Sequence, residues 1–265
     1  MTNTTNHWWG DFELPMNSVG RWQIGPTTLI IEHLDNEWRV DTEVEEDPQA
    51  SELSVDIRPI GDDDAARTWS HRFAVTEPSD RGSLSALLAD RPVVATPERS
   101  VTILAGGEAT VYVGSPVWVQ IGIGDPAKAL LELPLHQPAD TWFGPSPRVG
   151  ELCYASRTHC RLRLEDLPQR PHRAITSVQV TNRGETPLVL NQLLLPVLNL
   201  ALFATPEGLL WTQDVKLERD DREMAPIELR KGQPRHAEDA ICIAEPRLPL
   251  TDNPMVRAFS AIFTR

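Results

Sequence analysis

The sequence predicts an all-β fold, built as two β-sandwich-like halves with few short helices. Three observations carry that expectation. Prolines number 23 among 265 residues and are spread evenly, which breaks helices over most of the chain. Between them the apolar residues alternate in short runs, the period of a half-buried strand. Turn-forming residues recur every ~8–12 positions, the spacing of sandwiches and barrels rather than of alternating strands and helices.

Taken in order, Thr28 to Leu34 and Glu37 to Val44 read as strands paired around Asp35-Asn36, with Trp38 and Val40 on one face. Ser54 to Ile60 alternates Val55 and Ile57 and ends near Gly61, and Trp69 to Val75 supplies another strand. Ser83 to Asp90 reads as a helix, because Ser83 can cap it and Leu84, Leu87 and Leu88 share a helical face. Ser100 to Leu104 and Ala109 to Val113 flank Gly106-Gly107, a hairpin turn that glycine makes accessible. Pro116 to Ile123 places Val117, Val119, Ile121 and Ile123 on one face and Trp118 on the other. Asp125 to Leu133 is a second expected helix, with Asp125 as cap and Pro126 at its first position.

In the second half, Ile175, Val178 and Val180 lead into Asn182-Arg183-Gly184, and Leu188 to Leu195 follows. Leu198 to Phe203 and Leu209 to Leu217 form a hairpin around Glu207-Gly208, and Ile241 to Ala244 and Val256 to Thr264 close the strand set. No internal repeat is visible. Pro134, Pro138 and Ala139 mark the expected boundary between an acidic N-terminal β domain, residues 1–135, and a C-terminal β-sandwich domain, residues 136–265.

Charge divides the chain at the same place. The net charge of -13 resides entirely in residues 1–135, with 9 basic and 22 acidic groups, while residues 136–265 carry 16 of each. An acidic half repels phosphate backbones, so nucleic acid is not an expected partner. Met1 to Gly10 lacks the basic residue and apolar run of a secretory signal. The longest apolar stretch, Leu193 to Ala204, is interrupted by Pro196 and Asn199 and falls short of the ~20 residues that span a bilayer. Cys153, Cys160 and Cys242 are too few and too scattered for a disulfide framework. The expectation is a reduced, cytoplasmic protein with no direct membrane insertion.

The motifs that could carry chemistry are weak. Gly122-Ile-Gly124-Asp-Pro-Ala127 has dinucleotide-fingerprint spacing, but Asp125 would place a negative charge where the pyrophosphate must sit. Cys153, His159, Cys160 and His172 offer zinc-type donors without the usual paired spacing, and Asp62-Asp63-Asp64 reads as a solvated turn rather than a calcium loop. Ser146, between Pro145 and Pro147, lacks a nucleophile elbow. No catalytic residue, metal or cofactor is therefore expected.

The richest segment runs from Trp142 to Arg173, where six arginines face Glu151, Glu165 and Asp166. It reads either as an anion or interface site, or as glue pairing its arginines with the acidic half. The candidate ligand or interface residues are Trp8, Trp9, Trp142, Arg148, Glu151, Tyr154, Arg157, His159 and Arg161. The pair Trp8-Trp9 belongs either to the core or to a docking surface.

Several spaced motifs run across the chain: Trp8-Trp9-Gly10, Trp22-x-Ile24-Gly25-Pro26, Asn36-Glu37-Trp38-Arg39, Ser115-Pro116-Val117-Trp118, Trp142-Phe143-Gly144, Gly150-Glu151-Leu152-Cys153-Tyr154 and Leu210-Trp211-Thr212. As an ordered set they resemble the prokaryotic domain of unknown function 432 proteins. That resemblance brings no reaction and no catalytic residues. It implies a soluble partner for the cytoplasmic portion of a mechanosensitive membrane channel. The first functional expectation is thus a non-enzymatic protein-interaction or regulatory module, including assembly into a homo-oligomer. The alternative is a β-sandwich that binds or processes a carbohydrate or anionic metabolite.

Overall fold

The computed structural model describes residues 7–76, 79–146, 148–158, 160–220 and 227–249. These form an all-β protein. In the first half the strands are β1 (Gly10–Glu13), β2 (Ser18–Ile24), β3 (Thr27–Leu34), β4 (Glu37–Val44), β5 (Leu53–Pro59), β6 (His71–Ala74), β7 (Arg81–Leu88), β8 (Val93–Pro97) and β9 (Val101–Ile103). The long β10 (Glu108–Ile123) is followed by β11 (Lys128–Pro134), β12 (Ala139–Ser146), β13 (Val149–Thr158) and β14 (Arg173–Asn182). Then come β15 (Leu188–Leu190), β16 (Leu193–Leu195), β17 (Leu202–Ala204), β18 (Leu210–Thr212), β19 (Val215–Arg219), β20 (Ile227–Leu229) and β21 (Ile241–Ala244). The one α-helix among the described residues is a single turn, Asp62–Ala65, in which Asp64 pairs with Arg58 at 2.6 Å. No described helix is long and apolar enough to cross a membrane.

The five-stranded antiparallel sheet, in the order β5-β2-β3-β4-β6, contains the expected hairpin as β3 and β4 and adds β2, which was not expected, between β5 and β3. Its central strand β3 buries Leu29, Ile30 and Ile31 in succession, as a strand covered on both faces does. Trp38 is fully buried and stacks on His33 with ring centres 4.5 Å apart. Trp69 to Val75 yields β6, and Ser54 to Ile60 yields β5.

β10 organises the rest. Its first part, Glu108 to Pro116, pairs with β14, and its second part, from Val117, pairs with β7 on one edge and β11 on the other. Val117 accepts from Leu135 and donates to His172, so β11 and β14 share an edge of β10. By alternation the nitrogen of Pro116 faces the opposite edge, before the β7 ladder begins, and its missing N–H breaks no pairing with β14. Ala109–Val113 and Pro116–Ile123 are therefore one strand. A four-stranded sheet, in the order β12-β13-β8-β16, lies beside β10, and the main core draws side chains from both halves, including Trp8, Trp38, Trp118, Val178 and Leu217.

Three local expectations are corrected. Ser83 to Asp90 is not a helix: it lies largely within β7, where Leu84, Ala86 and Leu88 alternate inward and Leu87 faces the other way. Leu84 and Leu88 fit both periods, and ladders to β1 and β10 decide for the strand. Asp125 to Leu133 is not a helix either. The chain reverses at Gly124, whose φ of 95° suits glycine, and returns as β11, so the fingerprint has no helix to seat a phosphate. The turn at Gly106-Gly107 forms, with Gly107 donating to Leu104, but its flanking strands do not pair together. Instead β9 pairs with β15 and β10 with β14. The expected strand Val256 to Thr264 lies outside the described residues.

Candidate functional site

A cavity of ≈ 640 Å³ opens where β13 crosses the free edge of β10 beside the start of β14. At Gly114 that edge has no neighbouring strand, and side chains of β13 take the strand's place. Gly114 N–H donates to Thr158 Oγ1 at 3.2 Å, and Ser156 Oγ donates to the Gly114 carbonyl at 3.4 Å. The segments 136–139 and 167–170 and the loop carrying Pro48 and Gln49 complete the walls.

Arg173, the first residue of β14, points its side chain along Gly114. Its Nη1 donates to the Gly114 carbonyl (3.1 Å) and to Ser156 Oγ (3.2 Å). Its Nε is buried without a partner, and no described carboxylate pairs with it. Burial and the neighbouring Arg170 push this guanidinium down to about 10, which still leaves it a cation at neutral pH. Arg170 is itself held below its ordinary value by burial, with Asp47 and Glu98 acting the other way from a distance. Arg173 N–H donates to the Arg170 carbonyl, a turn that holds the two cations together. Arg157, on β13, adds a third guanidinium to the lining.

Two imidazoles flank this group. His136 lines the cavity, its Nδ1 is buried without a partner, and burial followed by Arg173 holds its pKa low. His172 is pushed down to about 3 by burial, Arg173, Arg170 and His136. Behind it, Gly25 sits at φ 61°, and any methyl there would collide with the His172 ring. The Trp8 indole donates to the Pro171 carbonyl at 2.9 Å and holds the same turn from the core side.

The family described as protein of unknown function (DUF432) matches residues 8–264. The chain belongs to that family. No curated protein matches it, and no solved structure does.

Placed on the fold, the residues singled out in this DUF432 member separate. Arg157 alone lines the cavity. Trp8 is buried, edge-on to Trp9, which is half-buried and stacks on His7. Tyr154 is buried, donates to Asp90 at 2.9 Å and lies beneath the Arg91 guanidinium. Trp142 and Leu152 are cross-strand partners, 48% and 44% exposed, on the β12–β13 hairpin. Gly150 lets Trp142 lie flat there, since a Cβ at that position would come within 2.6 Å of its indole nitrogen. Arg148 and Glu151 are exposed on the same hairpin. Arg161 is exposed and bridges Tyr112 through its backbone, while His159 lies outside the described residues.

Among the described residues the zinc-type donors do not gather. Cys153 packs among Val94, Phe143 and Leu194, and burial pushes its thiol up to about 12. Cys160 is pushed up to about 11 for the same reason. Sequence reasoning did not single out His136, Arg170 or Arg173. The signal available for the last two was Arg170-Pro-His-Arg173, a basic turn running into a strand that reads as buried.

Proposed function

We propose that this protein is a cytoplasmic binding module for a small anionic metabolite, held in the cavity between β10, β13 and β14. One observation carries the reading: Arg173 is a largely enclosed cation that pairs with no described carboxylate and stands beside another arginine, Arg170. An enclosed charge without an opposite partner costs several kcal/mol, and a bound oxyanion removes that cost. The cavity size falls within the ~300–1,000 Å³ of small-molecule sites. Isothermal titration of the full chain with inorganic phosphate and with succinate, at constant ionic strength, tests it. Saturable binding, weakened about tenfold or more by Arg170→Gln, is expected. Heats of dilution alone, with both anions, would contradict it.

A second reading, a protein-interaction module whose partner is the cytoplasmic portion of a mechanosensitive channel, is supported by the exposed Trp142, Leu152 and Val149 of the β12–β13 hairpin. Exposed apolar side chains grouped this way favour a docking surface. Co-purification of a channel with the wild type, and its loss with Trp142→Ala/Leu152→Ser, is the expected result. Retention of the channel by that variant would move the interface elsewhere.

A further inference from the structure

We infer that the ligand of this cavity is an oxyanion on an aliphatic, ring-free body, a carboxylate or phosphate ester, seated side-on against Arg173. The inference rests on the anion-binding reading and names the ligand class within it.

The seat follows from which edge of the guanidinium is already in use. Arg173 engages the protein through Nη1, and among the described residues neither its buried Nε nor its Nη2 has a hydrogen-bond partner. That edge is the one arginine uses to grip planar oxyanions in parallel. Elsewhere in this chain Arg183 holds Glu218 through Nε at 2.9 Å and Nη2 at 2.8 Å. Arg170, tied to Arg173 by the turn between them, adds a second charge at the same end. Arg157 stands on β13, at a different wall of the cavity, and makes no ion pair among the described residues.

The body of the ligand follows from the walls. Pro116, Pro138, Pro168, Leu167 and Ile175 supply aliphatic surface, Thr96 and Thr158 supply hydroxyls, and Glu98 is the one carboxylate among the described lining residues, against three arginines. Among the described residues no Phe, Tyr or Trp lines the cavity. Nucleobases and sugar rings are usually held against aromatic faces, and the tryptophans of this chain lie elsewhere. Trp8 is behind Pro171, Trp118 packs on Tyr154, Trp211 lies in the cluster beneath Ile175, and Trp142 is on the outer hairpin. A ring-bearing anion would find charge here but no Phe, Tyr or Trp face among the described lining residues.

Four probes of matched chemistry test this by calorimetry on the full chain: glycerol 3-phosphate and succinate, against glucose 6-phosphate and adenosine monophosphate. The two aliphatic anions are expected to bind at least about tenfold more tightly than the two ring-bearing ones. Arg173→Lys, which keeps the charge and removes the fork, is expected to weaken both aliphatic anions about tenfold or more. Arg170→Gln, at a side chain with no hydrogen bond or ion pair to lose, provides a second variant that does not threaten folding. Equal or tighter binding of glucose 6-phosphate or adenosine monophosphate would overturn the ligand class and leave the anion site standing. Unchanged affinities in both variants would overturn the seat. Absence of binding by all four probes would overturn the class and the anion-binding reading together.

Discussion

In and beside the five-stranded sheet each described arginine grips a carboxylate, whereas Arg157, Arg170 and Arg173 around the cavity grip none among the described residues. Arg39 holds Glu32 and Glu37, Arg58 holds Asp64, Arg67 holds Asp41 and Glu43, Arg72 holds Glu37, and Arg21 holds Glu43. The supply of acid explains part of the difference, since the first half carries a surplus of carboxylates. Geometry explains the rest. Glu32, Glu37, Arg39 and Arg72 are register neighbours across β3, β4 and β6, so pairing follows from strand alternation. Around the cavity the arginines come from β13, from β14 and from the loop before β14, and although Glu98 also lines it, no described carboxylate forms an ion pair with any of the three. Paired arginines stabilise a sheet; unpaired ones at a cavity destabilise the empty fold and favour an anionic ligand.

The contrast can be broken at the paired end first. Arg39→Leu would strand Glu32, whose carboxyl burial already raises and which Arg39 partly restores. A loss of about 3–5 kcal/mol is expected in urea unfolding. Gly25→Ala attacks the joint between the five-stranded sheet and the cavity wall. Its positive φ, the His172 ring and the Ala50 carbonyl at 2.9 Å all oppose a methyl, so a loss of about 3 kcal/mol is expected, with weakened anion binding beside it.

Acid sharpens the comparison from the cavity side. His172 takes up a proton near pH 6.5 when unfolded but only near about 3 when folded. Between those values the unfolded chain binds the extra proton, so stability falls as pH falls, by about 2 kcal/mol at pH 5. His136, held low by the same surroundings, acts in the same direction. His172→Gln is expected to flatten the dependence between pH 6.5 and 5, measured by urea midpoints. An unchanged slope would show that the ring is hydrated in the folded protein.

Strands were readable where apolar residues alternate, as in β4, or run up to a turn signal, as β3 does before Asp35-Asn36. The misread helix at Ser83 shows the limit, because Leu84 and Leu88 satisfy both periods and only the ladders to β1 and β10 decide. The β12–β13 hairpin was not expected as strands, since its outer face carries Trp142 and Leu152 in place of polar residues. In the site, Arg157 was legible as part of an arginine-rich segment. Arg170, Arg173 and His136 were not, because what marks them is the crossing of β13 over Gly114 and the lack, among the described residues, of a carboxylate paired with either arginine. Both are properties of space rather than of spacing along the chain.

Thermal unfolding of the wild type and of Arg173→Met, in rising inorganic phosphate at constant ionic strength, tests the central claim most directly. Removing an unpaired enclosed cation should leave stability without phosphate within about 1 kcal/mol of the wild type, or above it. Phosphate should then stabilise the wild type saturably, by about 2.7 kcal/mol at a hundred times its dissociation constant, and leave Arg173→Met unmoved. Equal stabilisation of both proteins, or a loss of several kcal/mol in Arg173→Met before any phosphate is added, would show Arg173 to be a structural cation and contradict the account.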